Sequence, residues 1–308
     1  MKSFMHQGYP ALAIAAGECR AVIYLPDVQK GFYRGSRFDW SGLVAQVEYK
    51  GRTYFGELKR PHDPLVHDHA VGTCEEFGME SGLGYDEAAP GETFIKIGIG
   101  RLEKPEGEKR YSFWHPYRIV ETFPWRIEAH EDRVSFCQEA SDSRGWGYVY
   151  TKVVMLAVEE PRLTIRHVFK NTGSRPIRTQ HYSHNMICLD QQPFGEDYTL
   201  RFPVAVRTQQ QDRLDNCGAR VQGSEIAFTR LLDGSLWFQL DADWAKCENW
   251  VEIIQRRTGT KLKIIGNWPI AKFCVYAEST AVCPEPFLDI ILAPGEEKSW
   301  DIYYLFAK

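Results

Sequence analysis

The segment YVYTKVVMLAVEEPRLTIRHVFK, Tyr148 to Lys170, decides the fold. Two runs rich in Val, Ile, Tyr, Phe and Thr, residues 148–158 and 163–170, flank Glu159-Glu160-Pro161. β-Branched and aromatic side chains suit a pleated, half-buried surface, and the Glu-Glu-Pro break is where a chain turns back on itself. The segment reads as two strands joined by a turn. His167 falls on the face of Leu163, Ile165 and Phe169. A lone histidine in such a strand is more often a satisfied structural residue than a catalyst.

The same pattern extends outward along the chain. Residues 44–55 (VAQVEYKGRTYF) read as a hairpin turning at Lys50-Gly51. Residues 125–138 turn at His130-Glu131-Asp132, 251–265 at Arg257-Thr258-Gly259, and 287–306 at Ala293-Pro294-Gly295-Glu296. No stretch carries apolar residues at helical spacing over more than two turns, and phosphate-loop and dinucleotide fingerprints are absent. No low-complexity linker offers a cut. The expectation is an all-β fold, one large sandwich of antiparallel sheets, as a single domain over residues 1–308.

Composition narrows the partners. Of 308 residues, 44% are hydrophobic and 25% charged, the profile of a soluble globular protein with a sizeable core. Net charge is −4 and no long basic run appears, which argues against nucleic acid or an anionic membrane as a partner. The apolar run at residues 11–16 is too short for a signal peptide, and no stretch reaches membrane-span length. Eight cysteines are scattered with no C-x-x-C pair and read as mostly buried, reduced thiols of a cytoplasmic protein.

Three groups of residues carry candidate chemistry. The longest irregular region, residues 59–91, holds His62-Asp63-Pro64-Leu65-Val66-His67-Asp68-His69, with Glu75-Glu76 soon after. Such a loop can be a hydrogen-bonding lip for polyhydroxyl ligands, a structural loop, or a metal site, although no third ligand shows recognisable metal spacing. The second group is TQHYSHNMICLD, Thr179 to Asp190. Alternation places His181 with Thr179 and Ser183 on one strand face, and His184 with Gln180 and Tyr182 on the other. Neither face is cleanly apolar, and alternation alone does not choose between the two histidines. The third is Glu278, which ends the apolar run Phe273-Cys274-Val275-Tyr276-Ala277. A carboxylate there is either a solvated strand end or a group directed into a cleft. A histidine and a glutamate make a suitable acid–base pair near neutral pH.

Taken in order, SRFDWSG (36–42), the His-rich loop, YSHN (182–185), YAES (276–279) and LAPGEE (292–297) resemble the aldose 1-epimerase, or galactose mutarotase-like, superfamily. The resemblance runs from about residue 30 to the C-terminus and marks a divergent member. It implies a large antiparallel β-sandwich and a cofactor-independent isomerase that interconverts α and β anomers of an aldose. In that chemistry a glutamate takes the proton of the C1 hydroxyl while a histidine protonates the ring oxygen.

Carried over, Glu278 matches the base. His184 is preferred over His181 as the acid, because it keeps the following apolar positions in phase with the family's Asn-His-x-Tyr-Phe-Asn-Leu pattern. His67-Asp68-His69 matches a family His-x-His but lacks the two glycines that follow it. The resemblance therefore implies substrate contact by His67 or His69, with His181, Arg37 and Trp125 as further candidates, and no metal. It further implies a small-molecule carbohydrate partner and a monomer or homodimer. Three other readings stay open: a non-catalytic carbohydrate-binding protein on the same fold, an epimerase of hexose phosphates using Arg37, Lys59 and Arg60 as cations, and a metal-dependent hydrolase or isomerase built on the His67/His69 loop.

Overall fold

A computed structural model of the chain describes residues 8–107 and 110–308. Residues 1–7, 108 and 109, inside the expected 1–308 domain, lie outside the described residues. Every strand pairing is antiparallel.

The segment that opened the reading forms strands Gly147–Leu156 and Arg162–Asn171, paired Tyr148 to Asn171 through Leu156 to Leu163. They sit inside a ten-stranded sheet between Arg133–Ser141 on one side and Glu297–Ala307 on the other. Facing it is a five-stranded sheet ordered Leu236–Leu240, Lys272–Glu278, Ala281–Leu292, Ile177–Ser183, Glu75–Phe77. Phe77, Ile177, Leu288 and Ile290 from the smaller sheet share one core with Val154, Phe169, Trp300 and Tyr304 from the larger. Smaller sheets of four and three strands complete the architecture. The structure is thus an all-β sandwich, with one helical turn at Gln211–Asn216 the only α-helix among the described residues.

The turns fall where the sequence placed them, with one difference. Glu296 N–H donates to Ala293 O, so residues 293–296 do turn. The strands on either side, however, belong to different sheets. This turn carries the chain from one layer of the sandwich to the other, rather than closing a hairpin.

Alternation along Gly147–Leu156 buries Tyr148, Tyr150, Val154 and Leu156, and with them Lys152. A buried ammonium is costly unless it is paired. Lys152 Nζ contacts Glu75 Oε2, lies 3.5 Å from Asp39 Oδ2 and donates to Ser41 O at 2.8 Å. His167 Nε2 lies 2.9 Å from the other Glu75 oxygen. Burial alone would raise the Glu75 carboxyl, but Lys152 and His167 hold it well below the usual range. This network ties the short strand Glu75–Phe77 to the large sheet and fixes the neighbouring Glu76.

The irregular region is anchored just past its His-rich run by Gly72. Its φ is +59°, and a Cβ there would stand 1.7 Å from Val44 O, so only glycine allows this close approach. Met186 N–H donates to Gly72 O at 2.8 Å, which sets the loop against the end of the His184 strand.

Candidate active site

Strand Ile177–Ser183 pairs with Ala281–Leu292 on one edge and Glu75–Phe77 on the other. Its alternation separates the two histidines. His181 faces the interior of the sandwich, fully buried, with its ring against Phe77, His167 and Trp300 at 4.6, 4.9 and 5.0 Å. Burial holds its pKa well below the ordinary value, so it is a neutral core residue. Tyr182 and His184 face the other way, into a cavity of about 370 Å³.

Just after His184 the backbone kinks, with Asn185 at φ 49°. A left-handed asparagine is tolerated where its side chain is well bonded. Here Asn185 Nδ2 donates to Pro284 O at 2.8 Å, and Oδ1 accepts from Tyr304 OH at 2.7 Å. His184 N–H donates to Cys74 O at 2.7 Å. The backbone that carries the imidazole is therefore held at His184 and again at Asn185.

Opposite it stands a residue outside the sequence candidates. Glu285 lines the cavity, and its Oε1 lies 3.3 Å from His184 Nε2. Burial raises the Glu285 carboxyl to about 8, against a smaller lowering by Arg37. Burial, reinforced by the Arg37 charge, lowers His184 to about 3. At neutral pH the pair therefore holds one dissociable proton between two buried groups.

Arg37 forms the cationic wall. Its Nε donates to Glu76 Oε2 at 2.9 Å, Nη2 to Tyr182 OH at 3.0 Å, and Nη1 to Asp68. Three of its five N–H groups are so used, leaving two for a ligand. Glu76 also accepts from Tyr182 OH at 2.6 Å and from buried Lys96 at 3.0 Å. Burial would raise Asp68, but its bond to His67 and the Arg37 charge bring it down to about 2. Phe38 and Phe113 stack on the Arg37 guanidinium at 4.5 and 4.7 Å. The remaining lining comes from Leu58, Lys59, Met79, Trp114, Trp237 and Tyr276.

The other expected residues divide. His67 touches the site from behind, 3.3 Å from Asp68 and edge-on to Trp114 at 5.5 Å. His69 accepts from Asp63 N–H at 2.9 Å within its own loop and does not line the cavity. Trp125 packs on Phe136 and Tyr150, away from the cavity. Glu278 also lies outside the lining; it pairs with Lys59 at 2.5 Å and accepts from Tyr276 OH. Glu75, His167 and His181 bring ligand-type atoms within 4.8 Å of one another. Lys152 already supplies the positive charge on the Glu75 carboxylate.

Glu285 was hidden by its neighbours. It lies in Cys283-Pro284-Glu285-Pro286, and two prolines argue against a central strand. Yet the strand runs unbroken from Ala281 to Leu292 between two partners. A lone glutamate in the otherwise apolar run AVCPEPFL was the available signal.

No family model and no curated protein sequence matches the chain. Solved structures do. The Slr1438 protein of Synechocystis sp. PCC 6803 is similar with a TM-score of 0.60 and 12% identity, over 98% of both chains. A GalM/aldose epimerase homologue from C. elegans gives 0.57 and 13%, over 97% of this chain and 99% of that one. A putative aldose 1-epimerase from Escherichia coli K12 gives 0.55 and 12%, over 97% and 99%. At this identity the likeness is one of fold: the chain has the galactose mutarotase-like β-sandwich. No helix among the described residues is long and apolar enough to cross a membrane.

Proposed function

We propose that the protein interconverts the α and β anomers of an aldose, using Glu285 and His184 as its proton-transfer pair. The observation that carries this reading is the 3.3 Å approach of His184 Nε2 to Glu285 Oε1 on the wall of a ligand-sized cavity. Ring opening needs one proton removed from the C1 hydroxyl and one delivered to the ring oxygen. The O1–H electrons become the C=O bond, and the C1–O5 electrons leave on the protonated oxygen. A pair holding a single mobile proton does both and ends with that proton on its other member. Rotation about C1–C2 and the reverse transfer close the ring on the opposite face. Positioned proton transfer supplies about 10²–10⁴-fold acceleration.

The wider cavity supports the same reading. Arg37 and Asp68 offer donor and acceptor to hydroxyls, with Glu76 and His67 holding them in place. The hexose-phosphate reading has less support, because the three expected cations are committed: Arg37 to Glu76 and Asp68, Lys59 to Glu278, and Arg60 to Glu57. Glu278, expected as the base, is proposed instead to hold Lys59 at the cavity's rim.

The test is anomer exchange by NMR across neutral aldoses, uronic acids and hexose phosphates. Acceleration of a neutral sugar supports the reading. Binding of sugars with no acceleration of any would replace it with the carbohydrate-binding one.

A further inference from the structure

Most aromatic rings of the described residues are buried or half-buried. Among the described residues only two Phe, Tyr or Trp side chains are largely exposed, Trp114 at 57% and Trp237 at 37%. Both line the cavity that contains His184 and Glu285. They arrive from unrelated elements. Trp237 lies on strand Leu236–Leu240, and Trp114 in the segment between strands Gly100–Glu103 and Ile119–Thr122.

Neither position is one where packing needs an indole. In the Trp237 strand, Leu236, Phe238 and Leu240 are buried while Trp237 points outward, a place that an amphipathic strand normally gives to a polar residue. Its cross-strand neighbour is Tyr276, whose ring lies 5.8 Å from that of His184. A line of rings thus runs from the proton-transfer pair to the exposed Trp237. Trp114 stands beside Phe113 at 4.5 Å and His67 at 5.5 Å, with more than half its surface open.

The cavity also has room to spare. Its volume of about 370 Å³ corresponds to roughly twelve water molecules at their share of liquid volume. The roughly twelve non-hydrogen atoms of a hexose, joined by covalent bonds, fill less space than that many waters. A ring seated on Glu285 and His184 leaves free volume toward the two tryptophans. The C–H faces of a pyranose pack on an indole while its hydroxyl edges stay in water. The two cations of the cavity wall already carry carboxylate partners: Arg37, which lies over the Trp114 ring at 5.6 Å, is paired with Glu76 and Asp68, and Lys59 with Glu278.

We infer that Trp114 and Trp237 form a second sugar subsite, and that the substrate is the reducing end of an uncharged di- or oligosaccharide. This rests on the anomer-exchange function proposed above, which alone does not require a second ring.

The experiment compares kcat/KM for anomer exchange of maltose, cellobiose and lactose with that of glucose and galactose. Wild type, Trp114→Ala and Trp237→Ala are run together. The expected result is a disaccharide preference in wild type that falls by about three- to tenfold in each variant, the size of one aromatic contact. Equal rates for both sugar classes in wild type, or a preference unchanged by either substitution, would overturn the inference.

If no sugar exchanges at all, the proposed function has failed separately, and calorimetric titration with the same sugars reads the subsite directly. Tighter binding of a disaccharide than of its component sugars, weakened by Trp114→Ala, supports the subsite. Equal binding, or none, overturns it.

Discussion

Glu285, on strand Ala281–Leu292, and His184, one residue past the end of strand Ile177–Ser183, meet side chain to side chain 3.3 Å apart. The ladder pairing Ile177 with Leu292 and His181 with Leu288 brings them opposite each other when its count is continued three residues past the last pair. Asn185 bonds back to Pro284 O at the next step of the same count. A pair built this way has a fixed separation.

The pH profile follows from that pair. The one-proton state persists while Glu285, raised to about 8, keeps its proton and His184, lowered to about 3, stays neutral. The anomer-exchange rate should therefore fall above about pH 8, approaching tenfold per pH unit, and should not fall between pH 7 and 5. Measurement of kcat/KM from pH 5 to 10 checks this. An acidic decline centred near 6 would contradict it.

Stability carries the same signature. A carboxyl raised by burial contributes stability that is complete below its ordinary value of about 4.3 and is lost as pH rises through about 8. Glu285→Gln cannot ionise and escapes this loss. Its melting temperature should gain on wild type steadily from pH 5 to about pH 8 and level off by pH 9. A constant difference across that range would show that Glu285 is ionised throughout.

The two histidines should separate cleanly. His184→Asn is expected to lower turnover by about 10²-fold or more. His181→Asn touches only the core, so its effect belongs in the urea midpoint, at about 1–3 kcal/mol. Turnover per folded molecule should stay within a few-fold. Loss of turnover in a fully folded His181→Asn protein would reverse the assignment.

Lys152→Met leaves Asp39 and Glu75 buried without their cation and should cost about 3–5 kcal/mol by urea unfolding. Adding Glu75→Gln to it should recover part of that loss, because one of the stranded charges is then removed. A single variant within about 1 kcal/mol of wild type would show that the network is not what anchors strand Glu75–Phe77.

Much of the fold was legible because strands advertise themselves by composition and turns. Residues 148–158 and 163–170, and the Lys50-Gly51, His130–Asp132 and Arg257–Gly259 turns, all lie where local chemistry puts them. The turn at Ala293–Glu296 was equally clear, but which sheet each flanking strand joins is a tertiary matter that no local pattern encodes.

The site was legible in part for similar reasons. The His67 neighbourhood emerged from a dense run of polar residues, while the preference for His184 and the choice of Arg37 came from the family resemblance. Glu285 did not, since Pro284 and Pro286 imitate a strand break, whereas the strand continues through them on its pairing with Lys272–Glu278. Glu278 drew attention as a strand-end carboxylate, and its Lys59 partner comes from 219 residues away. Asp68 stood inside the His-rich loop, but its contact with Arg37 depends on how that loop folds over the sheet.

The most direct test measures anomer exchange by NMR for wild type, Glu285→Gln and Glu278→Gln on the best neutral sugar, each variant first shown to be folded. The account predicts a loss of about 10²–10⁴-fold in Glu285→Gln and less than about tenfold in Glu278→Gln. Full activity in Glu285→Gln, with the loss in Glu278→Gln instead, would contradict it and move the proton-transfer carboxyl to the cavity's rim.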